Sequence, residues 1–198
     1  MVITKRIIGT PEVKKYAVEV PFSSNVIDYS FINGLTFNNR PIDLEINLEG
    51  KNREYLYKLY SKLLSWLLKP TYSKLKLSDV DGYFMAKVES ISSLEEISII
   101  GKLKISFTCY PWRIEEEVEH TIILNKGESI YLMNSLMPST PTINVSNICN
   151  IEYKNKSYSL IKGDNKIFDI SFNEGINEIK LITDGPIEMT IIYKRGAL

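Results

Sequence analysis

Apolar and polar residues alternate along much of the chain. In DLEINLE (43–49), Leu44, Ile46 and Leu48 fall on one side and Asp43, Glu45, Asn47 and Glu49 on the other. In KLKISFT (102–108), Leu103, Ile105 and Phe107 oppose Lys102, Lys104, Ser106 and Thr108. Period two with one polar face predicts half-buried antiparallel strands. Strands are expected over residues 16–22, 41–50, 83–91 and 101–110. Pro111 is expected to end the last of these. Cys109 is expected to continue its polar side or to lie at its frayed end.

One segment follows a different period. In NREYLYKLYSKLLSWLLKP (52–70), Leu56, Leu59, Tyr60, Leu63, Trp66 and Leu67 recur at helical spacing. Asn52 is a suitable N-cap and Pro70 a stop, so a helix is predicted over about residues 52–69. Its apolar stripe, Trp66 included, is expected to dock on a sheet. A basic amphipathic helix could instead lie on a membrane surface. An exposed stripe with Trp66 and several leucines would, however, favour aggregation of a free chain.

KLKLSDVDGYFMAKV (74–88) reads as a hairpin turning at residues 79–82, with Gly82 free to take a positive φ. DVDG also opens like a calcium loop, but Tyr83, Phe84, Met85 and Ala86 follow and supply no carboxylate. Beyond Trp112 the acidic run IEEEVEH (114–120) is expected to be a solvated linker strand. Short strands then recur between Gly, Asn, Asp and Pro. The fold class expected is mainly β (α+β). Residues 1–117 form an N-terminal antiparallel domain with one helix, and residues 118–198 form a β-sandwich.

Composition narrows the functional classes. The chain has 198 residues, 44% hydrophobic and 24% charged, enough for a real core. Lysines and arginines balance aspartates and glutamates at 24 each. No global field favours nucleic acid or an anionic membrane. No secretory signal is visible after Lys5 and Arg6, and the apolar LLSWLL (63–68) is too short to span a bilayer. Two cysteines build no disulfide framework, although one Cys109–Cys149 bond is open.

Candidate chemistry is sparse. A nucleophilic cysteine needs a nearby base or a positive environment. The one histidine, His120, lies eleven residues beyond Cys109, too far in extended chain. Glu115, Glu116, Glu117 and Glu119 are dense, but neighbours on a strand alternate faces and do not converge on a substrate. Neither a phosphate-binding glycine loop nor a G-x-S-x-G elbow occurs. No catalytic, cofactor-binding or metal-ligating residue is expected, and no cofactor.

The order of elements resembles the distal tail protein family (Dit) of siphophages. Arg40 precedes an alternating strand that ends at Gly50. A helix closing on Trp66 and Leu67 follows, then D-x-D-G-Y-F-x-A (79–86) and G-K-x-x-x-x-F-x-C-x-P (101–111). NSLMPSTPTINVS, FNEGINEIKLI and IEMTIIYKRGAL resemble that family's C-terminal galectin-like sandwich. The resemblance implies a non-enzymatic virion protein assembled in the host bacterial cytoplasm. It implies a homo-hexameric ring whose partners are the tail tube protein and a tail hub or fibre protein, with no specific nucleic acid and no membrane. The particle could equally be a prophage or tailocin tail. No interface residues follow from it. Two other classes stay open: a carbohydrate-binding module using the C-terminal sandwich, and a thiol or carboxylate hydrolase.

Overall fold

The computed structural model describes residues 1–15 and 36–198, with the backbone of two short strands between them. The chain folds into two compact units. The first contains Met1–Leu77, Tyr83–Pro111 and Leu198. The second contains Ser78–Gly82 and Trp112–Ala197.

The first unit carries strands β1 (Val2–Ile8), β2 (Ala17–Glu19), β3 (Val26–Asp28) and β4 (Arg40–Glu49). Helix α1 (Arg53–Leu67) follows, then β5 (Ser73–Leu75), β6 (Tyr83–Ile91), β7 (Glu95–Ile97) and the start of β8 (Ile100–Leu124). Only the backbone of β2 and β3 is described; Tyr16 and residues 20–22 of the predicted first strand lie outside the described residues. β1 pairs with β4, β4 with β8, and β8 with β6 and β7. The predicted alternation is present. Leu44, Ile46 and Leu48 are buried from β4, and Leu103, Ile105 and Phe107 from β8.

Helix α1 starts where Asn52 allows it. The Asn52 side chain accepts a hydrogen bond from the Tyr55 amide at 2.8 Å and so satisfies one free N–H of the first turn. Leu56, Leu63 and Leu67 are buried. Trp66 is not: it is 62% exposed, contrary to the expectation that it would dock with the stripe. At about 100° per residue, positions 56, 63 and 67 share one line, and position 66 lies roughly 80° to its side. A single helix on a sheet buries the line and leaves that flank open.

β5 and β6 form the expected hairpin, with Leu75 opposite Phe84 and Ser73 opposite Ala86. Gly82 has φ +82. A Cβ there would lie 2.3 Å from the Ile114 carbonyl oxygen, so both conformation and space demand glycine.

Strand β8 departs from expectation in two ways. Cys109 is fully buried. It has the parity of Leu103, Ile105 and Phe107, so it belongs to the apolar side, not the polar side, and the strand is not frayed there. Nor does Pro111 end the strand, which runs on to Leu124. Pairing explains why proline is tolerated. Register with β4 ends at Cys109, opposite Arg40, and register with β15 (Ile187–Ala197) begins at Arg113. Pro111 falls in the gap between the β4 and β15 ladders, where neither of those two strands needs its missing N–H. Its carbonyl accepts a hydrogen bond from Nη2 of the buried Arg40.

The second unit adds β9 (Ser129–Asn134), β10 (Thr142–Val145), β11 (Cys149–Tyr153), β12 (Lys156–Leu160), β13 (Gly163–Asn165), β14 (Gly175–Leu181) and β15. Residues 113–124 of β8, β15, β10 and β13 make one antiparallel sheet, and β12, β11, β14 and β9 make another. Inward residues of both join one core around Phe172, Ile151, Leu160, Ile179 and Met189. This is a β-sandwich. The acidic run is therefore not a linker. It is paired sheet, with Glu117 opposite Lys194 and their charged ends 3.1 Å apart. The boundary expected at 117/118 lies inside β8, whose residues from Trp112 onward belong to the second unit.

A buried polar network holds the sandwich edge. The Asn177 carboxamide accepts from the Tyr153 hydroxyl at 3.0 Å and donates to the Asn173 carbonyl at 2.8 Å. The Asn134 amide donates to the carbonyls of Met137 and Phe172 at 2.9 and 3.0 Å.

Candidate functional site

The only nucleophile considered from the sequence is placed where it cannot act. Cys109 lies on the core side of β8 in the first unit. Burial pushes its thiol up to about 12, against the pull of the Arg40 guanidinium. Burial also raises the Cys149 thiol. His120 sits in the second unit, its ring stacked on Tyr193 at 6.2 Å. The two cysteines are both free, so the open Cys109–Cys149 bond is not formed.

A raised thiol value favours the neutral form in the fold. That contribution is complete below the ordinary value of 9.0 and is lost as the pH rises towards about 12. At about pH 8 neither native thiol should react with an aromatic disulfide reagent within minutes. In denaturant both should react at once. Fast labelling of one thiol in the native protein would contradict the burial described.

The glutamates behave as paired surface. Glu115 lies 3.8 Å from Arg195, and Glu117 pairs with Lys194. Glu116 and Glu119 are exposed. No group of three or more histidine, cysteine, aspartate or glutamate side chains among the described residues is arranged to hold a metal ion. No helix among them is long and apolar enough to cross a membrane.

What the described residues do offer is surface. Among the described residues β1 ends its sheet, and it is exposed along its whole length. Its register puts Ile3, Arg6 and Ile8 on the side of Ile46, Leu44 and Ile42, and Val2, Lys5 and Ile7 on the other. The first side is the apolar side of β4, yet Ile3 remains 47% and Ile8 36% exposed. On the other side Val2 is 65% and Ile7 49% exposed. Its outer edge also presents N–H and C=O groups that β4 does not use. An apolar edge strand open on both faces is a template for pairing with another chain. The strand's charge is confined to its centre, where Lys5 pairs with Glu45 at 3.5 Å.

A second apolar patch lies in the sandwich. Met133 on β9 is opposite Ile176 on β14, and Tyr131 shares their outward face; all three are more than half exposed. The Tyr131 hydroxyl reaches Glu178 at 3.4 Å. The patch is bordered by the polar side chains of Glu178 and Lys180.

Comparison with solved structures supplies the context for these surfaces. The crystal structure of the SPP1 Dit protein, described as a paradigm of the hub adsorption apparatus in phages that infect Gram-positive bacteria, matches with a TM-score of 0.72. The match covers 100% of this chain and 93% of that one, at 13% identity. The two proteins share a fold. A conserved protein of unknown function from Pseudomonas aeruginosa matches with a TM-score of 0.32 and 9% identity, over 97% of this chain and 100% of that one, too distant to bear on the fold. No family model and no curated protein matches the sequence.

The Dit-like fold therefore agrees with the order of elements read from the sequence, from the strand after Arg40 to the last strand of the sandwich. Sequence reading missed the open β1. VITKRII has apolar residues at both ends and a charged centre, without clean alternation. That irregularity was the available signal. The register shift between Ile3 and Lys5 accounts for it, because the extra residue reverses the parity of the strand.

Proposed function

We propose that this protein is a structural component of a phage or phage-derived tail, a distal tail protein that closes into a six-fold ring. The observation that carries the reading is the Dit-like fold over the whole chain. The ring is formed by the first unit, which takes up most of the N-terminal domain (1–117) drawn from the sequence. The second unit is a galectin-like sandwich, residues 118–198 in the division drawn from the sequence. The partners are other copies of the chain, the tail tube protein, and a tail hub or fibre protein. The protein acts without catalysis or cofactor and resides in the virion tail.

The open β1 supports a self-assembling reading. A strand with four exposed apolar residues is a liability in a free monomer and an asset in a closed ring, which leaves no edge uncovered. Balanced charge lets like subunits approach.

Replacing Ile3 and Ile7 together by lysine puts a charge on each face of β1. Both side chains are already about half exposed, so the fold should lose less than about 1 kcal/mol. The variant should remain monomeric where the parent assembles, as read by sedimentation velocity. Undiminished assembly would remove β1 from the contact.

A further inference from the structure

We propose that the groove between the C-terminal end of α1 and the β5–β6 hairpin docks an acidic segment of another protein through one apolar anchor side chain. The groove holds about 160 Å³. At about 30 Å³ per water, that is room for roughly five waters or one large side chain. Its walls include Trp66, Leu67, Leu75, Val88 and Phe107. Its rim carries Lys69, Lys74 and Lys87, and no aspartate or glutamate lines it. This inference stands apart from the ring, since it rests on the groove alone.

Charge selects the occupant. Lys69 and Lys87 are exposed and have no ion-pair partner among the described residues. The Lys74 ammonium sits over the Tyr83 ring at 4.7 Å. Some lysines of the same unit are matched, Lys104 with Asp43 at 2.9 Å and Lys58 with Glu54 at 2.7 Å; the groove rim brings unmatched ones together around an apolar slot. In a chain of zero formal charge, an apolar slot rimmed by three cations without a carboxylate is a local concentration of positive charge. Carboxylates flanking an aliphatic or aromatic residue would satisfy both parts at once.

Trp66 supplies the second half of the recognition. It is 62% exposed beside the groove mouth, and a large aromatic that can be covered on binding contributes most of the affinity in such contacts. Single-stranded nucleic acid would also meet lysines and a tryptophan. It needs a run of aromatics along a charged channel, whereas this groove has a single exposed ring and room for one side chain.

The test uses the full chain and an acidic decapeptide pool, Asp and Glu throughout with Leu, Ile, Phe or Tyr at two central positions. The matched control pool carries Asn and Gln in place of the acids. Trp66 emission is read against a Trp66→Phe variant, which leaves only Trp112. Saturable blue-shifted emission with the acidic pool, absent with the control pool, is expected. Lys69→Glu with Lys87→Glu should weaken it on the order of tenfold, with an unchanged melting temperature. Equal binding of the control pool, or indifference to the lysine changes, would overturn the proposal. So would an equal or larger Trp66 response to a thymidine oligonucleotide or to phosphatidylglycerol vesicles, which would assign the groove to nucleic acid or to a membrane.

Discussion

Phe172→Ala should cost the second unit about 4 kcal/mol. Phe172 is wholly buried. Its ring meets Tyr193 edge-on at 5.2 Å and Tyr153 at 6.0 Å, so truncation empties the centre of an aromatic cluster. Its backbone is fixed as well: the Phe172 amide donates to the Ser139 carbonyl at 2.8 Å, and its own carbonyl accepts from Ser139 and Asn134. The surrounding chain is therefore poorly able to collapse into the space. A fall in the urea midpoint of the sandwich transition, with the first unit's transition unmoved, is the expected result. A loss below about 1 kcal/mol would mean that the core repacks freely.

Gly82→Ala should cost about 3 kcal/mol through backbone and space together. An L-residue at φ +82 is strained, and the added Cβ meets the Ile114 carbonyl oxygen at 2.3 Å, a backbone atom that cannot rotate away. Gly82→Asn separates the two causes. Asparagine tolerates positive φ but carries the same Cβ. If contact with Ile114 dominates, both variants should lose similar amounts in thermal melts. If the asparagine variant recovered nearly all the stability, the close approach would be wrong.

The residues that were legible in the sequence were those whose position depends on local period. Leu44, Ile46 and Leu48 are buried because alternation on β4 leaves no other arrangement. Asn52 caps α1 because its side chain needs only the amide three residues on. The hairpin after Leu75 turns at Gly82 because few residues other than glycine accept that φ.

The misread residues depended on distant partners. Cys109 follows the parity of Leu103, Ile105 and Phe107, but the expected strand end at Pro111 leaves it at a frayed end or on the polar side. Pro111 ends a strand only when a ladder needs its N–H. Nothing local shows that β4 stops pairing at Cys109 and β15 starts at Arg113. The side of a helix stripe that stays open, as at Trp66, likewise depends on how wide a surface it meets. The acidic run at residues 114–120 looked solvated because its counter-charges, Lys194 and Arg195, lie about eighty residues away in sequence.

The surfaces were harder to read for the same reason. Edge status belongs to a sheet and not to a strand, so the openness of β1 emerges only when β4 is seen to pair on one side of it. The lysine rim of the groove draws on α1's end, β5 and β6, three elements whose meeting no local pattern encodes.

Native mass spectrometry of the purified chain, alone and mixed with the proposed tail tube and hub partners, tests the proposed ring most directly. A closed six-copy species, seen as a ring in negative stain, is the predicted result. A chain that stays monomeric at high concentration and with both partners present would contradict the proposed role.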